Sequence, residues 1–281
     1  MPPLRRIRPT EVQGHDRNGT LQMTKTLLID GDALVYQLAF SAETKTNWAD
    51  EGEEPIWTIQ ADEAETTFRL MRAVDALIET HWADAAIFAL SDPTANFRLD
   101  ILPTYKGNRK ESVKPVLHER MREVVQEKFK TYLKPRLEAD DTIGILATHP
   151  KIIPGEKIII SDDKDFNTIA CPRAKFRKNK KTKELETFDP SHLEANFYHL
   201  QQTLSGDMTD FYAGCPGIGP IKAEKKLRAY QGEDPWVDVV LKEYALKGLT
   251  HEDALVQARC ARILRHWDFD FLTQQPILWN P

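Results

Sequence analysis

The chain has 281 residues, of which 41% are hydrophobic and 29% charged, and its formal net charge is −5. This composition belongs to soluble globular proteins and argues against disordered and membrane-embedded classes, because no run of about 18 apolar residues occurs. Three cysteines, Cys171, Cys215 and Cys260, lack CxxC spacing, which argues against a disulfide framework and a zinc site and suits a reducing cytoplasm.

Residues 1–23 are basic with no apolar stretch behind them, so a flexible tail is expected rather than a secretory signal, and Met23 is an alternative start. Thr26–Ile29 is an apolar run ending at Asp30-Gly31-Asp32, as expected for a buried strand with carboxylates at its end. A helix is expected over Ala33–Phe40, a polar loop over 41–57, and a second helix over Asp62–Trp82, where apolar residues recur at helical spacing. Ala85–Leu90 is a second buried strand, ending at Ser91-Asp92-Pro93. Val116–Tyr132 is expected as a helix broken before Pro135, with a further helix from Leu137 to Ile145. Lys157–Ile160 forms a third strand, again ending in acids at Asp162, Asp163 and Asp165. A basic run occupies 173–183 and is expected as a hairpin or loop. Helical stretches at Leu193–Leu204, Ile221–Tyr230 and 251–266 complete the chain.

Apolar strands alternating with helices predict an α/β fold with a mostly parallel sheet flanked by helices. In such sheets ligands bind beyond the carboxyl ends of the strands, so the three acidic strand ends should converge on one side.

Nine carboxylates recur at telling positions: Asp30, Asp92, Glu138, Asp140, Asp141, Asp163, Asp165, Asp207 and Asp210. The commonest use of a single strand-end Asp is to start a turn or cap a helix, and for any one of them that explanation is the stronger. Nine gathered on one side repel each other unless a cation neutralises them. All are oxygen donors without interleaved Cys or His, which suits Mg²⁺ or Mn²⁺. Two such ions, roughly 3.5–4 Å apart, serve in-line attack on a phosphodiester. Asp163 and Asp165 are preferred over Asp162 and Asp163 as the working pair, because D-K-D spacing keeps both on one side of an extended segment.

Five stretches, taken in order, resemble the 5′-nuclease superfamily of polymerase 5′-nuclease domains, flap endonucleases and phage 5′–3′ exonucleases. They are Leu28-Ile29-Asp30-Gly31, Phe97-Arg98 through Tyr105–Arg109, Glu138-Ala139-Asp140-Asp141, Ser161–Phe166, and Gly206-Asp207-x-x-Asp210 followed by Gly214–Pro220. The C-P-G-I-G turn and the A-R-C-A-R-I-L-R helix are most similar to the gene-six type of podovirus exonuclease. Asp32 is a departure from the 5′-nuclease family, whose members often have a small or amide residue there. The resemblance implies a Rossmann-like, PIN-like core over 24–203, a helical arch at about 105–134, and a helix–three-turn–helix region over 204–281. It implies that Asp30, Asp92, Glu138 and Asp140 hold a first metal, with Asp141 in its outer shell. Asp163, Asp165, Asp207 and Asp210 would serve a second. Lys106 would contact the scissile phosphate, Tyr105 would stack on a terminal base, and Arg98 and Arg109 would assist at phosphate.

Tyr105–Lys110 mixes an aromatic with cations, as stacking and phosphate contact require, although an ordinary surface loop has the same composition. Gly214, Gly217 and Gly219 let backbone amides approach a phosphate at a helix N-terminus, with Lys222, Lys225 and Lys226 adding cations; a tight turn between packed helices would also use glycines. The resemblance adds a K⁺ ion there. The run 173–183 reads as a solvated loop. His81, His118, His149, His192, His199, His251 and His266 lack ligand spacing and receive no catalytic role. The reading is a metal-dependent 5′→3′ exodeoxyribonuclease of phage replication and recombination. Its expected partners are duplex DNA with a 5′ end or flap, RNA–DNA hybrid, and a polymerase or single-stranded-DNA-binding protein, and it is expected to be a monomer without membrane contact. The alternatives are a silent DNA-structure-binding protein and a PIN-type RNA nuclease.

Overall fold

A computed structural model describes residues 24–281 except 51, 110–112, 178, 180 and 183, so the expected tail 1–23 lies outside the described residues. β1 (Lys25–Asp30) is buried from Thr26 onward and runs directly into α1 (Gly31–Ala42), which Asp30 caps by accepting the Ala33 amide. Residues 41–57 are only in part the expected loop, which holds for the described residues between Asn47 and Trp57. They contain most of an antiparallel hairpin of β2 (Thr44–Asn47) and β3 (Trp57–Gln60). Nearly every hairpin residue is exposed, so the alternating burial that marks a strand in sequence is missing. The Asn47 carboxamide closes the ribbon by accepting from Ala49 and Ile56.

α2 (Glu63–His81), β4 (Ala85–Leu90) and a short α3 (Arg98–Ile101) follow. The helix expected over 116–132 is shorter: α4 spans His118–Lys128, and Lys130–Leu133 forms β5, an edge strand parallel to β4. α4 buries Met121, Val124 and Val125 in the main core, while His118 and Arg122 on the same helix face the candidate cleft. Residues 105–117 form the connection ahead of α4, and its described residues Lys106, Arg109 and Lys114 lie beside the cleft. Among its described residues the helical part is one 3₁₀ turn, Gly107–Arg109, and residues 110–112 lie outside the description.

α5 (Ala139–Thr148) starts from Glu138, whose amide donates to the Asp141 carboxylate, and β6 (Glu156–Ile160) returns parallel to β1. Of the two forms expected for the basic run, the hairpin is the one observed: β7 (Arg173–Ala174) pairs antiparallel with β8 (Thr187–Phe188), and residues 178, 180 and 183 lie outside the description. The six-stranded sheet has the order β5–β4–β1–β6–β7–β8 and is parallel up to β7. Alternate residues of β1 feed two cores. Leu27 and Ile29 pack with Leu34, Leu70 and Val125, while Leu28 packs with Ile87, Ile143 and Ile159 on the other face.

The C-terminal region comprises α6 (His192–Ser205), α7 (Pro220–Ala229), a π-helical turn (Trp236–Leu241) continuing into α8 (Lys242–Ala245), and α9 (His251–Ala261). They share their own apolar cluster around Leu204, Ile218, Trp236 and Tyr244. α9 ends five residues before the helix expected to reach 266. Beyond Ala261 the chain turns back to the sheet layer, where Ile263 and Leu264 are buried. A last hairpin pairs β9 (Phe269–Asp270) with β10 (Gln275–Pro276). No described helix is long and apolar enough to cross a membrane.

Candidate active site

The carboxyl ends of β1, β4 and β6 point to one edge of the sheet, where α5 also begins. Six of the expected carboxylates, Asp30, Asp92, Glu138, Asp140, Asp163 and Asp210, line a single cleft of ≈ 430 Å³ there. Lys106, Arg109, Lys114 and Arg122 line the same cleft. Acids from five separated chain segments therefore meet a set of cations in one concave site, the arrangement ordinary turn-starting aspartates would not produce.

Each acid is held by local geometry. Asp30 is 5% exposed and accepts from the Ala33 amide at 3.0 Å and the Ser161 hydroxyl at 2.8 Å. Burial and the neighbouring Asp32 and Asp163 charges overcome those bonds and push its carboxyl up to about 7. Asp140 is raised well above the carboxylate range by burial and by Asp30 and Asp163. Asp92 is the opposite case: the Arg136 amide and the Thr94 hydroxyl and amide hold it below the usual range. Burial would raise Glu138, but the Lys106 and Arg98 charges hold it at about 2.

The second group lies at the end of β6 and after α6. Asp163 accepts from the Asp165 amide at 2.8 Å and faces the cleft, whereas Asp162 bonds Gln37 and the Phe176 amide. Asp165 accepts from Gln202 at 2.6 Å; burial and the charges of Asp163, Asp207 and Asp210 push it up to about 7. Asp207 is buried, accepts from the Thr209 amide and pairs with Lys164 at 2.9 Å. Asp165 and Asp207 stand behind the cleft lining rather than in it.

Two expected substrate contacts are not available. Arg98 is 2% exposed, binds Asp141 through both guanidinium nitrogens at 2.6 and 2.8 Å, and donates to the Cys260 and Arg262 carbonyls. It cannot reach a substrate phosphate; it braces Asp141 and, at 3.1 Å, Glu138. Tyr105 is 4% exposed, and its hydroxyl donates to Glu138 and Asp210, so its ring is not free to stack on a base. Asp141 is fully buried on Arg98 and the Leu264 amide, outside the cleft lining. Lys106 bonds Glu138 and lies 3.6 Å from Asp210, and Arg109 bonds Asp210 at 2.6 Å.

The glycine-rich segment divides in two. Gly214 is buried, has φ +66°, donates its amide to Gln257, and approaches Gly206 so closely that a Cβ would lie 2.2 Å from the Gly206 nitrogen. It closes the fold and offers no amide to DNA. Gly217 and Gly219 are exposed, and Gly219 caps α7. Lys222 and Lys225 are exposed, while Lys226 is paired with Glu243 at 2.5 Å.

Among the described residues no three acids are already closed around an ion position. The donor chemistry nevertheless fits one. Burial, and then the neighbouring acids, raise Asp30, Asp140 and Asp165, ammonium and guanidinium groups sit where added positive charge would be favoured, and the donors are all carboxylate oxygens.

Residues 25–198 match the family model described as 5′-3′ exonuclease, N-terminal resolvase-like domain. The chain is 32% identical to the exodeoxyribonuclease of Enterobacteria phage T3, covering 91% of this chain and 92% of that protein. It is also 32% identical to the exonuclease of Escherichia phage T7, covering 91% and 93%. The chain belongs to the 5′-3′ exonuclease family. The bacteriophage T5 D15 flap endonuclease, solved as a pseudo-enzyme–product complex with DNA and metal ions, shares the fold with a TM-score of 0.54 at 16% identity, covering 84% of this chain and 93% of that one.

Family, hydrolytic class and sheet architecture are thus those the ordered motifs led us to expect. What the motifs did not reveal in this 5′-3′ exonuclease are residues placed by tertiary contact. Tyr36, Lys114 and His118 line the cleft, and so does Asp32, which is tied to Arg122 and the Ser91 amide. Lys247 approaches the Gly217 turn. Only Asp32 carried a sequence signal, as an unexpected acid beside Asp30.

Proposed function

We propose that this protein is a metal-dependent 5′→3′ exodeoxyribonuclease that hydrolyses phosphodiesters at 5′ ends of duplex DNA. The observation that carries the reading is the meeting of six carboxylates with Lys106, Arg109 and Lys114 in one cleft. Asp30, Asp92, Glu138 and Asp140 would hold one divalent ion; Asp163, Asp165, Asp207 and Asp210 would serve a second. Such ions, Mg²⁺ or Mn²⁺, supply a water of lowered pKa and neutralise charge on the phosphoryl group.

The chain's own residues do the positioning. Lys106, the half-buried cation at Glu138, binds the scissile phosphate, and Arg109 assists from the same turn. Arg98 holds Glu138 and Asp141 in place from behind. Gly217, Gly219, Lys222 and Lys225 grip duplex phosphate at the start of α7, with a K⁺ ion between turn and phosphate. The T3 relative, an exodeoxyribonuclease, supports DNA as substrate, and a role in phage replication is part of the same reading. Flap cleavage and removal of RNA primers belong to the same reading; the DNA-bound T5 flap endonuclease shares the fold.

The test compares 5′-labelled duplex, 5′-flap and RNA substrates under Mg²⁺ for the natural protein, Asp30→Asn and Asp92→Asn. Cleavage of duplex and flap DNA that both variants lose, with binding retained, is the expected result. Full activity in either variant sinks the assignment. Preference for RNA would favour a PIN-type nuclease, and binding without cleavage a silent DNA-structure-binding protein.

A further inference from the structure

Lys164 lies between two of the acids assigned to the second ion, in the 3₁₀ turn that follows β6. Its side chain is 65% exposed, yet its ammonium reaches inward to Asp207, whose side chain is 5% exposed, at 2.9 Å. The two Asp207 oxygens are not equivalent. Oδ1 is taken by backbone amides, Thr209 at 2.7 Å and Asp210 at 3.4 Å, which fix the carboxylate in the turn. Oδ2 is the oxygen that Lys164 occupies. A cation seeking Oδ2 of Asp207 must therefore compete with the Lys164 ammonium.

The Lys164 charge also acts on Asp165, which has Asp163, Asp207 and Asp210 as anionic neighbours. Asp210 already has Arg109 and Lys106 beside it, so Lys164 is the cation that relieves the repulsion at Asp165 and Asp207. Lys164 differs from the other cations of the site in how it is held. Lys106 is fixed by a backbone bond to Asp210 and a φ of +53°, and Arg109 is braced by the Thr209 carbonyl. Lys164 hangs from a turn on a long exposed stem, so its head can move into water without disturbing the core.

We propose that Lys164 is a resident counterion of the Asp163, Asp165 and Asp207 group, and that a divalent ion enters this group by displacing the Lys164 ammonium from Asp207. The inference rests on the reading that these acids hold the second ion. Lys164 then sets the metal concentration at which that ion binds, because every entering ion competes with an ammonium already in place. Removing the ammonium leaves Oδ2 of Asp207 open and removes a positive charge that also repels the ion once bound.

Mn²⁺ titration of the full chain without DNA, followed by calorimetry and by the electron-spin-resonance signal of free Mn²⁺, tests this. Lys164→Met should tighten the weaker of two Mn²⁺ constants by about fivefold to tenfold, as for losing one partly buried ion pair, and leave the stronger within about twofold. Lys164→Arg, which keeps the charge, should stay near the natural protein. Asp207→Asn should weaken the same constant. An unchanged or weakened second constant in Lys164→Met, with Asp207→Asn still affecting it, overturns the counterion role alone. If Asp207→Asn also leaves both constants unchanged, the assignment of these acids to metal fails, and the inference falls with it.

Discussion

The backbone amide of Lys106 donates to the carbonyl of Asp210 at 2.9 Å, while the Lys106 ammonium lies 3.6 Å from the Asp210 carboxylate. One residue from the connection after β4 and one from the turn after α6 are thus joined at both backbone and side chain. Lys106 has φ +53°, an uncommon conformation for a residue with a Cβ, and the Asp210 carbonyl helps to hold it. The ammonium is thereby aimed at Glu138 rather than into solvent.

Lys106→Met keeps the length and packing of the side chain but removes this charge. Cleavage under saturating Mg²⁺ should fall by ~10²–10³-fold, the usual effect of deleting one preorganised stabiliser of transition-state charge. Binding of duplex DNA should change by only a few-fold, because α7 and its turn remain. Single-turnover rates and a filter-binding assay separate the two. A loss confined to binding would remove Lys106 from the chemistry.

The raised acids dictate how pH should act. Asp30 and Asp165 sit at about 7 in the folded protein against 3.8 in the unfolded chain, so the folded state holds extra protons between these values. Without metal, these groups make stability fall as pH rises from about 4 to about 7, after which their effect is constant. A divalent ion requires the ionised forms, so its binding should weaken below pH 7 and release protons. Thermal melts with chelator at pH 5 and 8, repeated with Mg²⁺, should show the larger metal-induced rise in Tm at pH 8. Calorimetry in buffers of different ionisation enthalpy should detect proton release. Equal stabilisation at both pH values, with no released proton, would contradict the crowded-acid account.

Arg98 gives a stability prediction rather than a catalytic one. Asp141 is fully buried and has Arg98 as its cationic partner, with the Leu264 amide as a further donor. Arg98→Met would leave that carboxylate facing a neutral side chain and two carbonyls without donors, at a cost of about 3–5 kcal/mol. Arg98→Lys should recover little, since a single ammonium cannot serve both Asp141 oxygens and two carbonyls. Urea denaturation measures both. A loss below about 1 kcal/mol in Arg98→Met would mean the network is not holding the site together.

The parts of this molecule that sequence conveyed were those encoded locally. Leu27–Ile29, Ala85–Leu90 and Lys157–Ile160 are apolar runs ending in acids, and a parallel sheet places such ends together. The strands missed were those without a burial signature: the exposed hairpin at Thr44–Asn47 and Trp57–Gln60, and the edge strand at Lys130–Leu133. The roles misread were set by distant partners. Arg98 and Tyr105 stand in a motif that suggests substrate contact. Arg98 is sealed by carbonyls more than 160 positions away, and the hydroxyl of Tyr105 is taken by Glu138 and Asp210. Burial of this kind depends on the whole fold, so no local pattern records it.

The glycines of the α6–α7 connection permit the sharpest separation of folding from binding. Gly214 needs φ +66° and sits against Gly206, whereas Gly217 has φ +76° and its missing Cβ would meet only the flexible Lys247 ammonium, at an ordinary 3.9 Å. Gly214→Ala meets both strain and a backbone clash, and should destabilise by about 2–4 kcal/mol. Gly217→Ala meets strain alone, at about 1–2 kcal/mol, and leaves Gly214 and the Gln257 bond untouched. If the exposed turn grips phosphate, Gly217→Ala should weaken duplex binding at a temperature where the protein remains folded. Lys222→Ala and Lys225→Ala should each do the same and lower the salt dependence of binding by about one unit of slope. Lys226→Ala should do neither, because its ammonium is already bound to Glu243. Equal effects from all three lysines on the salt slope would show that the Glu243 pair opens on DNA. No effect from Lys222 or Lys225 would remove the start of α7 from the DNA interface.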